Sequence, residues 1–138
     1  MKTLTLAIIK PDAVKAGHTG KIIDLIEKNG FEIVDMYKTQ FTTEQAREFY
    51  KIHSARSFYN ELVEFMTSGP IIVLALRKED AVNAWRTLMG ETDPAKAAPG
   101  TIRKLFGKNI GENATHGSDS PANAQQEVGF VFKTQKSI

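Results

Sequence analysis

The sequence has no cysteine. That excludes disulfides, thiolate metal sites and cysteine nucleophiles, and it suits a reducing compartment. Long hydrophobic runs are missing too. No stretch approaches the ~20 apolar residues a membrane span requires, and Met1-Lys2 leads into a short alternating segment rather than a signal-peptide core. A soluble, unprocessed, cytoplasmic chain with no membrane partner is expected. Charge of one sign is equally scarce. With Lys and Arg totalling 18 and Asp and Glu 16, the net charge of +2 is too small for the basic stripe that holds nucleic acid, so no nucleic-acid partner is expected. A few convergent basic residues would still serve a small polyanion such as a nucleotide. No internal repeat, low-complexity tract or linker interrupts the 138 residues, and 41% hydrophobic content lets them bury a core as one domain, 1–138.

Residues 3–10 put Leu4, Leu6 and Ile8 on one face and Thr3, Thr5, Ala7 and Ile9 on the other, the period of a strand, which ends at Pro11. Residues 20–29 carry Ile22, Ile23, Leu25 and Ile26 at helical spacing and stop at Gly30. A β-rich second strand spans 31–41. Thr42 or Thr43 then caps a helix to about Ile52, and residues 57–67 place Phe58, Leu62, Phe65 and Met66 on another, the two forming a helical hairpin. The nearly continuous apolar run 71–76 predicts a central strand buried on both faces. Residues 79–89 follow as a helix with Ala81, Trp85 and Leu88 on one stripe. Between Gly90 and Gly111, Pro94, Pro99, Gly100 and Gly107 punctuate a long loop with room only for a turn at 102–106, and loops of that length are usually functional. A short helix from Pro121 and a last strand over 128–132 close the chain. This is the α+β, ferredoxin-like βαββαβ order, predicting an antiparallel sheet with helices packed on one face. That fold hosts enzymes, RNA binders and regulatory modules alike, so activity has to be read from particular residues.

The most informative run is Asn113-Ala114-Thr115-His116-Gly117-Ser118-Asp119-Ser120, followed by Pro121. It sets an imidazole in a loop of small residues beside a helix start, because Ser120 reads as an N-cap and Pro121 as the first helical position. Exposed N–H groups and the positive end of a helix favour anions there, which points to phosphate chemistry. His18 and His53 lack such neighbours and read as structural or merely exposed. Gly17-His18-Thr19-Gly20-Lys21 is not a P-loop, since Lys15 and Ile22 stand where glycine and Ser or Thr are required. His116 and Asp119 have no second His or Cys nearby, so no protein metal site is read. Lys10 at the end of the first strand, Arg86 near the end of a helix, and Thr92 and Arg103 in the long loop are each ordinary surface residues when read alone. Together they matter only if folding gathers them near His116.

Several motifs in order resemble the nucleoside diphosphate kinase family over essentially the whole length. They are Ile9-Lys10-Pro11-Asp12-Ala13, Thr67-Ser68-Gly69-Pro70, Gly90-Glu91-Thr92-Asp93-Pro94, Pro99-Gly100-Thr101-Ile102-Arg103 and the run from Asn113 to Ser120. The resemblance implies ping-pong transfer: His116, through Nδ1, takes the γ-phosphoryl group of a nucleoside triphosphate and passes it to a diphosphate, maintaining cellular pools. It implies that Glu127, at the helix-to-strand junction, orients the ring through a relay with Ser118. Neutral imidazole is the nucleophile in such chemistry, and a carboxylate partner fixes its tautomer. The resemblance further assigns Lys10, Tyr50, Arg86, Thr92 and Arg103 to the phosphates, with Lys10 and Asn113 also reaching the ribose. Phe58 would stack on the base with Leu62 and Ile110 completing an apolar slot of broad specificity, although Phe58 and Leu62 alone read as a helical core pair at i, i+4. Mg²⁺ would arrive on the nucleotide, the long loop would lie on the nucleotide side, and the protein would be a homo-oligomer, tetramer or hexamer. Ser57 stands where many relatives carry proline and Ala13 where many have glycine; both are expected to alter loop stiffness rather than chemistry. The tail beyond Phe132 has only six residues, and longer arms brace neighbouring subunits in some relatives.

Overall fold

The computed structural model describes residues 1–136; of the short tail whose bracing role was in question, residues 137 and 138 lie outside the described residues. Its centre is a four-stranded antiparallel sheet in the order β2-β3-β1-β4. Strand β1 (Lys2–Ile9) pairs along its length with β3 (Ile71–Glu79), which pairs in turn with β2 (Glu32–Thr39). On its other edge β1 pairs with β4 (Thr115–Gly117), Ile8 opposite His116. The ferredoxin-like α+β fold read from the sequence is the one observed.

Alternation along β1 and β3 produces two cores. Ala7, Ile9, Ile72, Leu74 and Leu76 face one layer, with α1 (Pro11–Lys15), α2 (Thr19–Lys28), α5 (Ala81–Met89) and α6 (Ile102–Phe106) supplying Ala13, Ile22, Ile26, Trp85, Met89 and Ile102. Leu6, Ile8, Ile71, Val73 and Ala75 face the other, met by Ala46 of α3 (Thr43–Phe49), Val63 and Met66 of α4 (Tyr59–Met66), and Val131 and Phe132 of α7 (Pro121–Lys136). Helices therefore cover both faces of the sheet, not one. The cause is the run 71–76, apolar at every position: each buried Leu or Ile side chain is worth ~1.5–3 kcal/mol, and uncovering either face would forfeit several. None of the described helices is long and apolar enough to cross a membrane.

The strand expected over 128–132 does not exist. Those residues continue α7, and the fourth strand is instead the His116 segment, expected as loop. Val-Gly-Phe-Val-Phe alternates, but Ala124, Val128 and Val131 also stand at i, i+4 and i+7, and that period is the one that turns apolar side chains to the sheet. The start of the helix is as read: Ser120 Oγ accepts the Asn123 N–H at 3.1 Å. Pro11 opens α1 rather than merely ending the strand, because its fixed φ and missing N–H suit the first helical position. Ala13 accordingly lies inside a helix and is buried, so its substitution bears on packing, not on loop stiffness. Thr42 proves to be the cap of α3, with Gln45 completing a capping box. The long loop contains a short 3₁₀ turn, Pro94–Lys96, before α6.

Gly117 is where this packing bears hardest on the site. A Cβ there would meet Met89 Cε at 2.5 Å and Trp85 Cδ1 at 2.6 Å, both side chains belonging to the fully buried core. Gly117→Ala is expected to destabilise by roughly 1–3 kcal/mol through overpacking; urea unfolding followed by tryptophan fluorescence measures it.

Candidate active site

Pairing with β1 fixes the backbone of His116, and Trp85 Nε1–H, from α5, donates to its carbonyl oxygen at 3.1 Å. The ring then meets α7. Nε2 lies 3.1 Å from Glu127 Oε1, and Ser118 Oγ–H donates to the same oxygen at 2.8 Å. The imidazole and the carboxylate are each about 16% exposed. A carboxylate accepts only, so the hydrogen resides on Nε2 and the Nδ1 lone pair is left free. Nδ1 has no hydrogen-bond partner among the described residues and is not sealed from solvent. Phe49 and Tyr50 stand edge-on to the ring, with centroids 5.3 and 5.8 Å away.

A cleft of about 580 Å³ opens beside this pair. Lys10, Tyr50, Thr92, Arg103 and Asn113 supply its polar wall, and Phe58, Leu62 and Ile110 its apolar one. Phe58 is 43% and Ile110 61% exposed, so these are not core residues. Lys10 Nζ donates to Asn113 Oδ1 at 2.9 Å, and Asn113 Nδ2 donates to the Thr92 carbonyl at 3.1 Å. Arg103 donates to the Gly90 and Thr115 carbonyls at 3.1 and 2.9 Å, while its Nε is buried without a partner. The Tyr50 hydroxyl is likewise buried and unpaired. Burial, and then the nearby Arg103 charge, lower Lys10 to about 8 despite the opposing pull of Asp12. Arg103 falls to about 10 through burial and the Arg86 charge. Tyr50 is pushed well above the ordinary phenol value by burial and the Glu127 carboxylate, so it acts only as a neutral hydroxyl.

The structure thus gathers residues scattered from Lys10 to Asn113. Arg86 stands apart: it lines a neighbouring cleft of about 560 Å³, which shares Thr92 and Arg103 with the first, and its guanidinium donates to Asp119 at 3.2 Å. His116, Ser118 and Glu127 do not line the main cleft; Tyr50 joins the two regions. Glu127 lies within α7 rather than at a helix-to-strand junction. His18 is structural, stacked 4.7 Å from Phe106, but His53 lines the cleft beside Phe58. Sequence reasoning missed Asp12, Phe49 and Trp85 as neighbours of the His116 segment. Only the Lys-Pro-Asp order hinted at the first, since a helix-opening Asp after Pro is a ready N–H acceptor.

A nucleoside diphosphate kinase family model matches residues 3–137. The chain is 55% identical over 134 residues to a nucleoside diphosphate kinase of Prosthecochloris aestuarii, covering 97% of this chain and 95% of that one. Its fold superposes on the crystal structure of the Aquifex aeolicus nucleoside diphosphate kinase with a TM-score of 0.94 at 46% identity, covering 96% of each. On the Halobacterium salinarum enzyme in complex with CDP the TM-score is 0.90 at 35% identity, over 94% of this chain and 87% of that one. An α+β sheet whose histidine stands near a cleft lined by Lys10 and Arg103, with Glu61 and Glu112 also on its wall, and relatives of this likeness define an enzyme that transfers phosphate between nucleotides. The chain belongs to the nucleoside diphosphate kinase family.

Lys10 gives the cleft a charge that depends on pH. Affinity for MgADP is expected to fall as pH rises through about 8, where the ammonium loses its proton, and Lys10→Met is expected to flatten the curve; calorimetric titration at a series of pH values checks both. The sign for folding is opposite. Between about 8 and 10.5 the unfolded chain holds the proton that the native one has lost, so this group makes stability rise with pH in that window.

Proposed function

We propose that the chain transfers the γ-phosphoryl group from a nucleoside triphosphate to a nucleoside diphosphate by a ping-pong route through phosphohistidine on His116, working as one domain, 1–138. The observation that carries this reading is the shared carboxylate oxygen. With Glu127 engaged at Nε2, Nδ1 alone is free to attack. In the first half-reaction the Nδ1–P bond forms as the bond from phosphorus to the β,γ-bridging oxygen breaks, and the diphosphate leaves with that electron pair. The ring becomes a phosphorylated cation, its Nε2–H held by Glu127, so no proton need move. The second half-reaction reverses these steps on a different diphosphate.

The remaining residues have electrostatic and orienting roles. Lys10 and Arg103, buried and hydrogen-bonded only to carbonyl and amide oxygens, would meet the phosphate oxygens where low dielectric strengthens every charge interaction. Tyr50 offers its unpaired hydroxyl, Thr92 a side chain at the shared wall, and Arg86 a second guanidinium on release from Asp119. Charge spread over a loose transferring group leaves the protein little covalent work beyond alignment. Mg²⁺ belongs to the substrate and comes on the nucleotide. Lys10 and Asn113 would reach the ribose, and the base would lie between Phe58 and Ile110 against Leu62, a slot that reads a π-face rather than a hydrogen-bond pattern and so accepts purines and pyrimidines. That a relative is seen with CDP supports the pyrimidine half of this expectation. We further place the enzyme in the cytoplasm, maintaining nucleotide pools as a homo-oligomer, tetramer or hexamer. The exposed Val34 and Met36 on edge strand β2 support assembly.

Brief incubation with γ-labelled MgATP is expected to leave acid-labile, base-stable label on the protein, discharged by GDP or CDP and lost in His116→Ala. Label that persists on the Ala variant would remove His116 from the reaction. Arg103→Ala is expected to slow labelling ~10²-fold, in line with losses on deleting one transition-state donor.

A further inference from the structure

One residue beside the site holds a backbone conformation that suits glycine, yet it is not glycine. Ala114 has φ +77° and is fully buried. Across it the Thr115 N–H donates to the Asn113 carbonyl at 3.0 Å, an i to i+2 bond that marks the strained, positive-φ γ-turn. Such a conformation at a residue with a Cβ persists only where the surroundings over-determine it. Both fastenings come from one short segment at the end of β1. The Ala114 carbonyl accepts the Lys10 N–H at 2.8 Å, and the Ala114 N–H donates to Asp12 Oδ2 at 3.1 Å.

Burial raises the Asp12 pKa above the ordinary carboxylate value, while the Lys10 charge and then the N–H groups of Ala114, Asp12 and Ala13 favour the ionised form. Asp12 follows Pro11 in the first turn of α1. On one side of the γ-turn stands Asn113, bonded to Lys10 Nζ; two residues past it stands His116. The turn therefore lies along the chain between the Lys10–Asn113 pair and His116.

We propose that Asp12 is a positioning residue for phosphoryl transfer: its carboxylate holds Ala114 in the left-handed turn and so sets the separation between the Lys10–Asn113 pair and Nδ1 of His116. The proposal rests on His116 as phosphoryl acceptor. Its test compares Asp12→Ala and Asp12→Asn, each alone and combined with Ala114→Gly, by rapid-quench phosphorylation with γ-labelled MgATP and by thermal melting. Asp12→Ala is expected to lower the labelling rate constant roughly 10- to 100-fold, the loss of one charge-assisted hydrogen bond. Asp12→Asn keeps an acceptor and is expected to lose less. Adding Ala114→Gly is expected to recover most of either loss, because glycine takes φ +77° without steric opposition. A purely structural Asp12 would lower the melting temperature while the folded enzyme kept its rate constant, or its rate loss would ignore Ala114→Gly. Either result overturns the proposal. Should Asp12→Ala not fold, the Asp12→Asn pair decides by the same criterion. Absence of label on the wild-type protein overturns the His116 reading and this one together, whereas normal wild-type labelling with an undiminished Asp12→Ala rate overturns only the positioning role.

Discussion

Strand β1 has a hydrogen-bonded partner on each edge and a helical layer on each face, and the positions of His116 and Lys10 follow from that double engagement. Once β3 has taken one edge, the other presents N–H and C=O groups that would lie unpaired in the interior, at ~1–3 kcal/mol each. The three residues Thr115–Gly117 pair with the part of that edge at Ala7–Ile9. Their pairing draws His116 from late in the sequence to a place opposite Ile8, two residues before Lys10. His116 and Lys10 are thus neighbours along adjoining strands because a backbone ladder had to be completed, not because either side chain attracts the other.

Around this ladder the charged groups are arranged with unequal compensation. Lys10 and Arg103 are buried, yet among the described residues neither forms an ion pair; their hydrogen bonds go to amide and carbonyl oxygens. Desolvation without neutralisation is costly, and both pKa values fall as a result. On the proposed reading, a polyphosphate entering the cleft would relieve that cost. Glu127 is treated oppositely. Its carboxylate oxygen is shared by the imidazole and the Ser118 hydroxyl, a fixed dipole arrangement that needs no reorganisation when the ring gains positive charge.

Apolar side chains divide along the same logic. Trp85, Met89 and Ile102 are sealed in the core behind the His116 strand and hold it in place, while Phe58 and Ile110 remain exposed at the mouth of the cleft. Phe58 and Leu62 have the i, i+4 spacing of a core pair, and nothing in spacing distinguishes a side chain packed against a sheet from one facing a cleft. The alternation in residues 128–132 misled for a related reason. A short apolar run fits either period, and only the sheet that receives it selects one.

By itself the sequence determined the elements from the first strand to the helix ending at Met89, apart from the short helix at Pro11–Lys15, together with the two-sided burial of strand 71–76, the cap at Ser120 and, through its run of motifs, the family. These are legible because they depend on neighbours along the chain: period, cap and turn chemistry act over a few residues. Tertiary structure alone decided that the His116 segment is a strand, that residues 128–132 are helix, that Arg86 faces a second cleft, and that Asp12 grips Ala114 from 102 positions away. Those outcomes depend on which unpaired backbone edge and which uncovered apolar face remain once the sheet has formed, and no local pattern encodes what is left over.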